Sequence, residues 1–129
     1  MAVSWVTQAG GVELAFGALS GWVIALMIDR PDLIRRAGVK ASARLRQAHL
    51  DYIIMGVILL AAGTAAPGLP LVWQLLLVGG AWVNATLFLP LAFNPDAKDQ
   101  RLYRAVTLLS FTAMSSATVA LAVYLLAAG

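Results

Sequence analysis

The residue in this chain best equipped for chemistry is its one histidine, His49. It stands in Arg44-Leu-Arg-Gln-Ala-His-Leu-Asp-Tyr52, where a basic stretch gives way to a long apolar run. An ionisable side chain in or at the rim of a hydrophobic segment is costly, and by default it marks a functional site. Neutral imidazole is the commonest biological metal ligand. With no cysteine in the chain, a haem iron or other single metal held in a membrane finds its best ligand here. The missing thiols also exclude disulfides, thiolate ligation and covalent c-type haem attachment. Two carboxylates, Glu13 and Asp51, and the amide of Asn84 are the other candidates for chemistry inside apolar sequence.

The elements that must position these groups are membrane spans. Apolar residues make up 61% of the 129 positions and charged residues only 12%, and the apolar residues come in long blocks. A span needs about 20 consecutive, mostly apolar residues. Blocks at 10–28, 48–66, 69–93 and 105–128 qualify, which predicts one all-α domain over residues 1–129, an integral membrane four-helix bundle. The basic residues fall in two connections, Arg30, Arg35, Arg36, Lys40, Arg44 and Arg46 in the first and Lys98, Arg101 and Arg104 in the last. The positive-inside rule puts both connections in the cytoplasm and both termini outside, in what reads as a bacterial inner membrane. The first span has no basic leader and no small-residue cleavage site before it, so it reads as a retained anchor. The net charge of +3 fits anionic lipid headgroups and does not call for nucleic acid.

Helical periodicity groups the candidate residues into faces. Glu13, Gly17 and Gly21 fall at i, i+4 and i+8, and Gly17-Ala-Leu-Ser-Gly21 has the spacing that lets two helices approach closely. Glu13 then sits near the outer end of its span, read first as a rim carboxylate within reach of water beside a packing face, and otherwise as a proton relay or ligand. His49, Gly56 and Gly63 recur every seven residues and form one stripe. That stripe suits either a flat cofactor lying against the helix or a neighbouring helix. Asp51 lies about 200° around the helix from His49, so its expected partners are Arg44, Arg46 or water. In the third span Gly80, Asn84 and Phe88 share a face, and Asn84 is a buried amide that must find partners. Pro90 predicts a kink near the inner end. The hydroxyls of Ser110, Thr112, Ser115, Ser116 and Thr118 read as backbone-bonding or close-packing groups. No phosphate loop, nucleophile elbow, zinc motif or nucleic-acid motif is present.

With these residues in place, the chain resembles the styrene oxide isomerase and hydroxylaminobenzene mutase family of small four-helix membrane proteins. The matching pieces are Gly17-Ala-Leu-Ser-Gly21, Ala48-His49 followed by Gly56, Trp82-Val-Asn84, and Phe93-Asn-Pro95. The resemblance implies a homotrimer with haem b between subunits and His49 as its axial ligand, in contact with Gly56 and Gly63. It implies a substrate pocket at Met55, Gly80, Trp82, Asn84 and Phe88. It also implies ferric iron acting as a Lewis acid that rearranges a small apolar substrate without net redox change. Three pocket positions depart from the family: its asparagine is Met55 here, its aspartate Gly80 and its tyrosine Phe88. Haem binding is therefore carried over better than epoxide isomerisation, and the expected substrate differs.

Two other classes stand beside this isomerase-like reading. One is a non-catalytic haem protein for redox, sensing or haem handling. The other is a structural membrane subunit in which His49 only hydrogen-bonds. A transporter is least favoured, since buried ionisable groups are few and no internal repeat is visible. The topology is testable directly. Reporter fusions at Gly129 and within residues 39–43 are expected on opposite sides of the membrane. Fusions on the same side overturn the four-span reading.

Overall fold

The structure, a computed structural model, describes residues 2–129. Among these it is 86% helical with no strands. Helix α1 spans Trp5–Asp29, α2 Pro31–Arg36, α3 Ser42–Ala65, α4 Leu71–Thr86, α5 Phe88–Phe93 and α6 Arg101–Ala128, with a 3₁₀ turn at Pro95–Asp99 before α6. Four segments are long and apolar enough to cross a membrane: Trp5–Asp29, Ser42–Ala65, Leu71–Phe93 and Arg101–Ala128. This is consistent with an integral membrane protein. The outward faces agree, because Val12, Leu19, Trp22, Ile28, Leu108 and Leu126 are all exposed. In hydrocarbon such side chains meet their proper solvent.

Three of the spans begin or end beyond the apolar blocks. α1 starts at Trp5 because Ser4 caps it, its hydroxyl accepting from the Thr7 backbone N–H at 3.2 Å. α3 starts at Ser42, so Arg44 and Arg46 lie on its first turns and not in a loop. α6 likewise takes in Arg101 and Arg104. Long basic side chains can extend from a helix end to the headgroups, so charge does not stop the helix where the apolar run stops.

α1 and α3 form the tightest pair. Gly10, Glu13 and Gly17 are buried on one face of α1, and Gly56, Leu59 and Gly63 on the facing side of α3. The approach is backbone to backbone. A Cβ at Gly56 would lie 2.6 Å from the Leu14 nitrogen, and one at Gly10 would lie 2.7 Å from the Leu60 nitrogen. One at Gly17 would lie 2.9 Å from the Ile53 nitrogen, and one at Gly63 would lie 2.5 Å from that of Thr7. Small residues at these positions are what permit van der Waals packing between helices that lipid does not push together. Gly56 and Gly63 are thus filled by α1, and the stripe they form with His49 is a helix contact, not a bed for a cofactor.

α4 and α6 make a second close pair. Gly80 is buried against α6, where a Cβ would lie 3.1 Å from the Met114 nitrogen, and the Ser110 hydroxyl donates to the Gly80 carbonyl at 3.2 Å. The two pairs meet in a core of Val6, Leu59, Ala62, Leu77, Ala81, Met114 and Ala117. The third span breaks where Pro90 predicts. Proline has no N–H for the carbonyl four residues back and its ring crowds that turn. α4 ends at Thr86, the chain turns at Leu87, and α5 resumes at Phe88. The Tyr103 hydroxyl donates to the Leu87 carbonyl at 2.6 Å, which ties the break to α6.

The glycine contacts set an expected outcome. Gly56→Leu forces α1 and α3 apart and destabilises the protein by about 1–3 kcal/mol or more, the usual cost of overpacking. Gly11→Ala, where an added Cβ meets nothing within 4 Å, is close to neutral. Thermal unfolding in detergent, followed by circular dichroism, ranks the two. Equal midpoints would show that the α1–α3 contact carries no stability.

Candidate functional site

His49 is the eighth residue of α3, two helical turns in, and it is half-buried against α1. Its Nδ1 lies 2.7 Å from the Gly17 carbonyl oxygen and 2.8 Å from the Ser20 hydroxyl. A carbonyl oxygen can only accept, so Nδ1 carries the proton and donates it. The Ser20 hydroxyl also donates to the Gly17 carbonyl, at 2.6 Å. In the neutral ring this leaves the Nε2 lone pair free, and Nε2 makes no hydrogen bond among the described residues. Metal-ligating histidines are held this way, the second N–H given to a carbonyl that fixes ring and tautomer. Gly21 adds room at the ring's edge, where even a Cβ would come within 3.3 Å of Cε1 and 3.9 Å of Nε2.

Helix spacing also sets the environment of Glu13. Because α1 begins at Trp5, Glu13 is its ninth residue, about 12 Å along the axis. It faces α3 together with Gly10 and Gly17 and is fully buried, with neither carboxylate oxygen hydrogen-bonded. This corrects the expectation of a wet rim carboxylate: five more residues of helix and a face turned inward remove it from water. Asp51 is half-buried and makes no ion pair with Arg44 or Arg46. Arg44 donates instead to Gln47 at 2.9 Å, while Asp51 Oδ2 is buried without a partner. Unpartnered carboxyls inside a bundle are expensive, and most buried polar groups avoid that state.

The five pocket candidates are dispersed. Trp82 joins an aromatic trio with Phe16 and Tyr52, its ring centroid 6.3 Å from that of Phe16 and 6.0 Å from that of Tyr52. Phe16 and Tyr52 meet edge to face at 4.8 Å. Tyr52 donates to Thr86 Oγ1 at 2.7 Å, since that hydroxyl spends its own proton on the Trp82 carbonyl. Met55 packs against the central core, and Phe88 against Ala48, Tyr52 and Ala85. Gly80 is committed to α6. Asn84 is half-buried rather than buried, and it makes no side-chain hydrogen bond among the described residues. Met55, Gly80 and Phe88 are therefore packing residues of the single chain and do not assemble one pocket around His49. The partners that sequence reasoning passed over are Phe16, Ser20, Tyr52 and the Gly17 carbonyl. Ser20 had a visible signal, its place inside the Gly17-to-Gly21 motif.

Among the described residues no three His, Asp or Glu side chains converge on a common point. Compared with family models, curated proteins and solved structures, the chain matches none of them.

Glu13 offers a direct measurement of whether the site is kept for stability. A buried polar group without partners lowers stability, and an apolar replacement of similar size removes that penalty. Glu13→Leu is expected to raise the thermal midpoint in detergent, corresponding to about 1–3 kcal/mol. A lowered midpoint would show that Glu13 holds the bundle together through a partner supplied in solution.

Proposed function

We propose that this protein is a haem-b-binding integral membrane protein of the styrene oxide isomerase type, with His49 as axial ligand, acting as an isomerase or mutase on a small apolar substrate. The observation that carries the reading is the Nδ1–H donated to the Gly17 carbonyl, which leaves Nε2 free as a lone-pair donor. Ser20 beside Nδ1 and Gly21 beside Cε1 fit the same role. Together they fix the ring against α1 and keep side-chain bulk off its free edge. Haem b held there by His49 would supply a Lewis-acidic iron able to polarise a substrate oxygen.

The chain's own contribution is orientation and exclusion of water. Gly17 and Ser20 hold the imidazole in one tautomer, so no reorganisation is needed when Nε2 takes a ligand. The apolar lipid-facing surface around α1 and α3, with Leu19, Trp22 and Leu50 exposed, keeps the surroundings dry. A flat group seated at His49 leaves its outer face uncovered by this chain. A second copy is the natural wall, and this is why a homotrimer belongs to the proposal. Two basic connections on the cytoplasmic side of a bacterial inner membrane, and termini outside, complete it. Since Met55, Gly80 and Phe88 are apolar or small and already packed, substrate positioning falls to Asn84, whose amide has no partner in the single chain.

The absorption spectrum of the detergent-solubilised protein tests the reading. Wild type, reconstituted with haem b, is expected to show a Soret band. His49→Ala is expected to lose most of it, and Gly21→Leu to weaken it by crowding the ring edge, both variants remaining in the membrane fraction. An unchanged band in His49→Ala would falsify the ligand assignment. A wild type that takes up no haem after reconstitution returns His49 to a hydrogen-bonding role between α1 and α3. Haem uptake without turnover of any aryl epoxide or arylhydroxylamine leaves a non-catalytic haem protein.

A further inference from the structure

The corner where α1 ends, α2 turns and α3 begins contains a cavity of about 220 Å³ that has no part in the His49 site. Its walls are divided by chemistry. Met27, Ile34 and Val39 supply an apolar floor, and Arg35, Lys40 and Ser42 supply polar groups. Its volume is that of roughly seven liquid waters, enough for a phosphate with a few attached carbons. We infer that this corner is a binding site for the phosphate of an anionic membrane lipid.

The backbone that forms the corner is held in place. α2 ends in a Schellman turn: Gly38 has φ +97°, its N–H bonds the Arg35 carbonyl at 3.0 Å, and the Val39 N–H bonds the Ile34 carbonyl at 3.4 Å. Ile34 and Val39, the hydrophobic pair that accompanies such a turn, are both buried with Ala92. The next two residues are clamped to α5. The Ala92 carbonyl accepts the Lys40 N–H at 2.8 Å and the Ala41 N–H at 3.0 Å. The two cations are therefore carried on fixed backbone, Arg35 on the last turn of α2 and Lys40 on the loop after it.

Among the described residues neither cation is in an ion pair, and the one carboxylate whose charge acts on Arg35, Asp32, does so through space and is itself bonded to Arg30. Arg30 pairs with Asp32 at 3.2 Å, and that hydrogen-bonded guanidinium holds the Asp32 carboxyl below the usual carboxylate range. Arg104 pairs with Asp99 at 3.7 Å. Among the described residues Arg35 and Lys40 have no carboxylate within ion-pair distance. Two cations suit a phosphate better than a single carboxylate, and guanidinium can grip phosphate through two oxygens. The cavity lies beside the ends of two spans, level with headgroups. A lipid can thus place its phosphate between Arg35 and Lys40 and its first apolar carbons on the Met27–Ile34–Val39 floor.

Native mass spectrometry of the full chain released from phosphatidylcholine nanodiscs doped with phosphatidylglycerol tests this, with or without haem. Wild type is expected to retain phosphatidylglycerol. The double variant Arg35→Gln/Lys40→Gln is expected to bind it roughly thirtyfold more weakly, the effect of two basic residues near a charged surface. The control Lys98→Gln/Arg101→Gln, which removes two cations elsewhere, should retain it as wild type does. Equal retention by wild type and Arg35→Gln/Lys40→Gln overturns the site. Equal loss in both double variants also overturns it, by showing a diffuse charge effect. Displacement of the lipid by inorganic phosphate at equal concentration would assign the corner to a soluble phosphate instead.

Discussion

Contact between the backbones of α1 and α3 is the constraint on which the rest of the molecule depends. Lipid tails are as apolar as leucine, so helices in a membrane gain little from hiding hydrophobic surface from one another. What remains is van der Waals contact, and that requires the axes to come close. Gly10 and Gly17 on one helix and Gly56 and Gly63 on the other supply the closeness. The same closeness brings the Gly17 carbonyl within 2.7 Å of His49 Nδ1 and leaves Glu13 with no route to water. It also sets Phe16 on Tyr52 and, through Tyr52, joins the first pair of helices to Trp82 and Thr86 of α4.

Polar groups elsewhere in the fold are matched with some economy. The Leu87 carbonyl, at the break made by Pro90, takes the Tyr103 hydroxyl. Ala92, near the end of α5, has a carbonyl left over by the end of its helix, and it takes two N–H groups from the loop before α3. Ser110, Thr107, Ser116 and Thr118 donate to backbone carbonyls, three of them within α6 and Ser110 across to α4. Against that background Glu13 and Asp51 stand apart, because a chain that satisfies so many groups leaves these carboxylate oxygens without partners.

The spans are legible in the sequence, because a block of some twenty apolar residues has few other fates. The break at Pro90 is legible for an equally local reason. Helix ends are less so: 5–9 and 42–47 mix apolar with polar or basic residues and continue no apolar run, and it took the Ser4 cap and the tolerance of α3 and α6 for basic residues at their ends to extend them. That shift in the start of α1 is also why the depth of Glu13 could not be read from composition. The seven-residue stripe of His49, Gly56 and Gly63 is visible as a period, but a period does not say what lies opposite. α1 lies there, and only three-dimensional pairing reveals it. Gly80 has the same ambiguity, resolved in favour of α6. His49 could be singled out from sequence alone, whereas its tautomer depends on a carbonyl 32 residues away.

The order in which the chain is made gives the α1–α3 contact a further consequence. Held singly in a bilayer, the first helix would present Glu13 to lipid, and insertion scales put a charged side chain at mid-span at about 2.5–3.5 kcal/mol. Its glycine face would also lack a partner. The second difficulty ends when α3 arrives, since Gly56 and Leu59 close over the same face, and Glu13 passes from lipid into the helix contact. The first two spans are therefore a helical hairpin whose halves are mutually dependent, suited to leaving the translocon together rather than one after the other. α4 and α6 can then assemble onto a template that already exists.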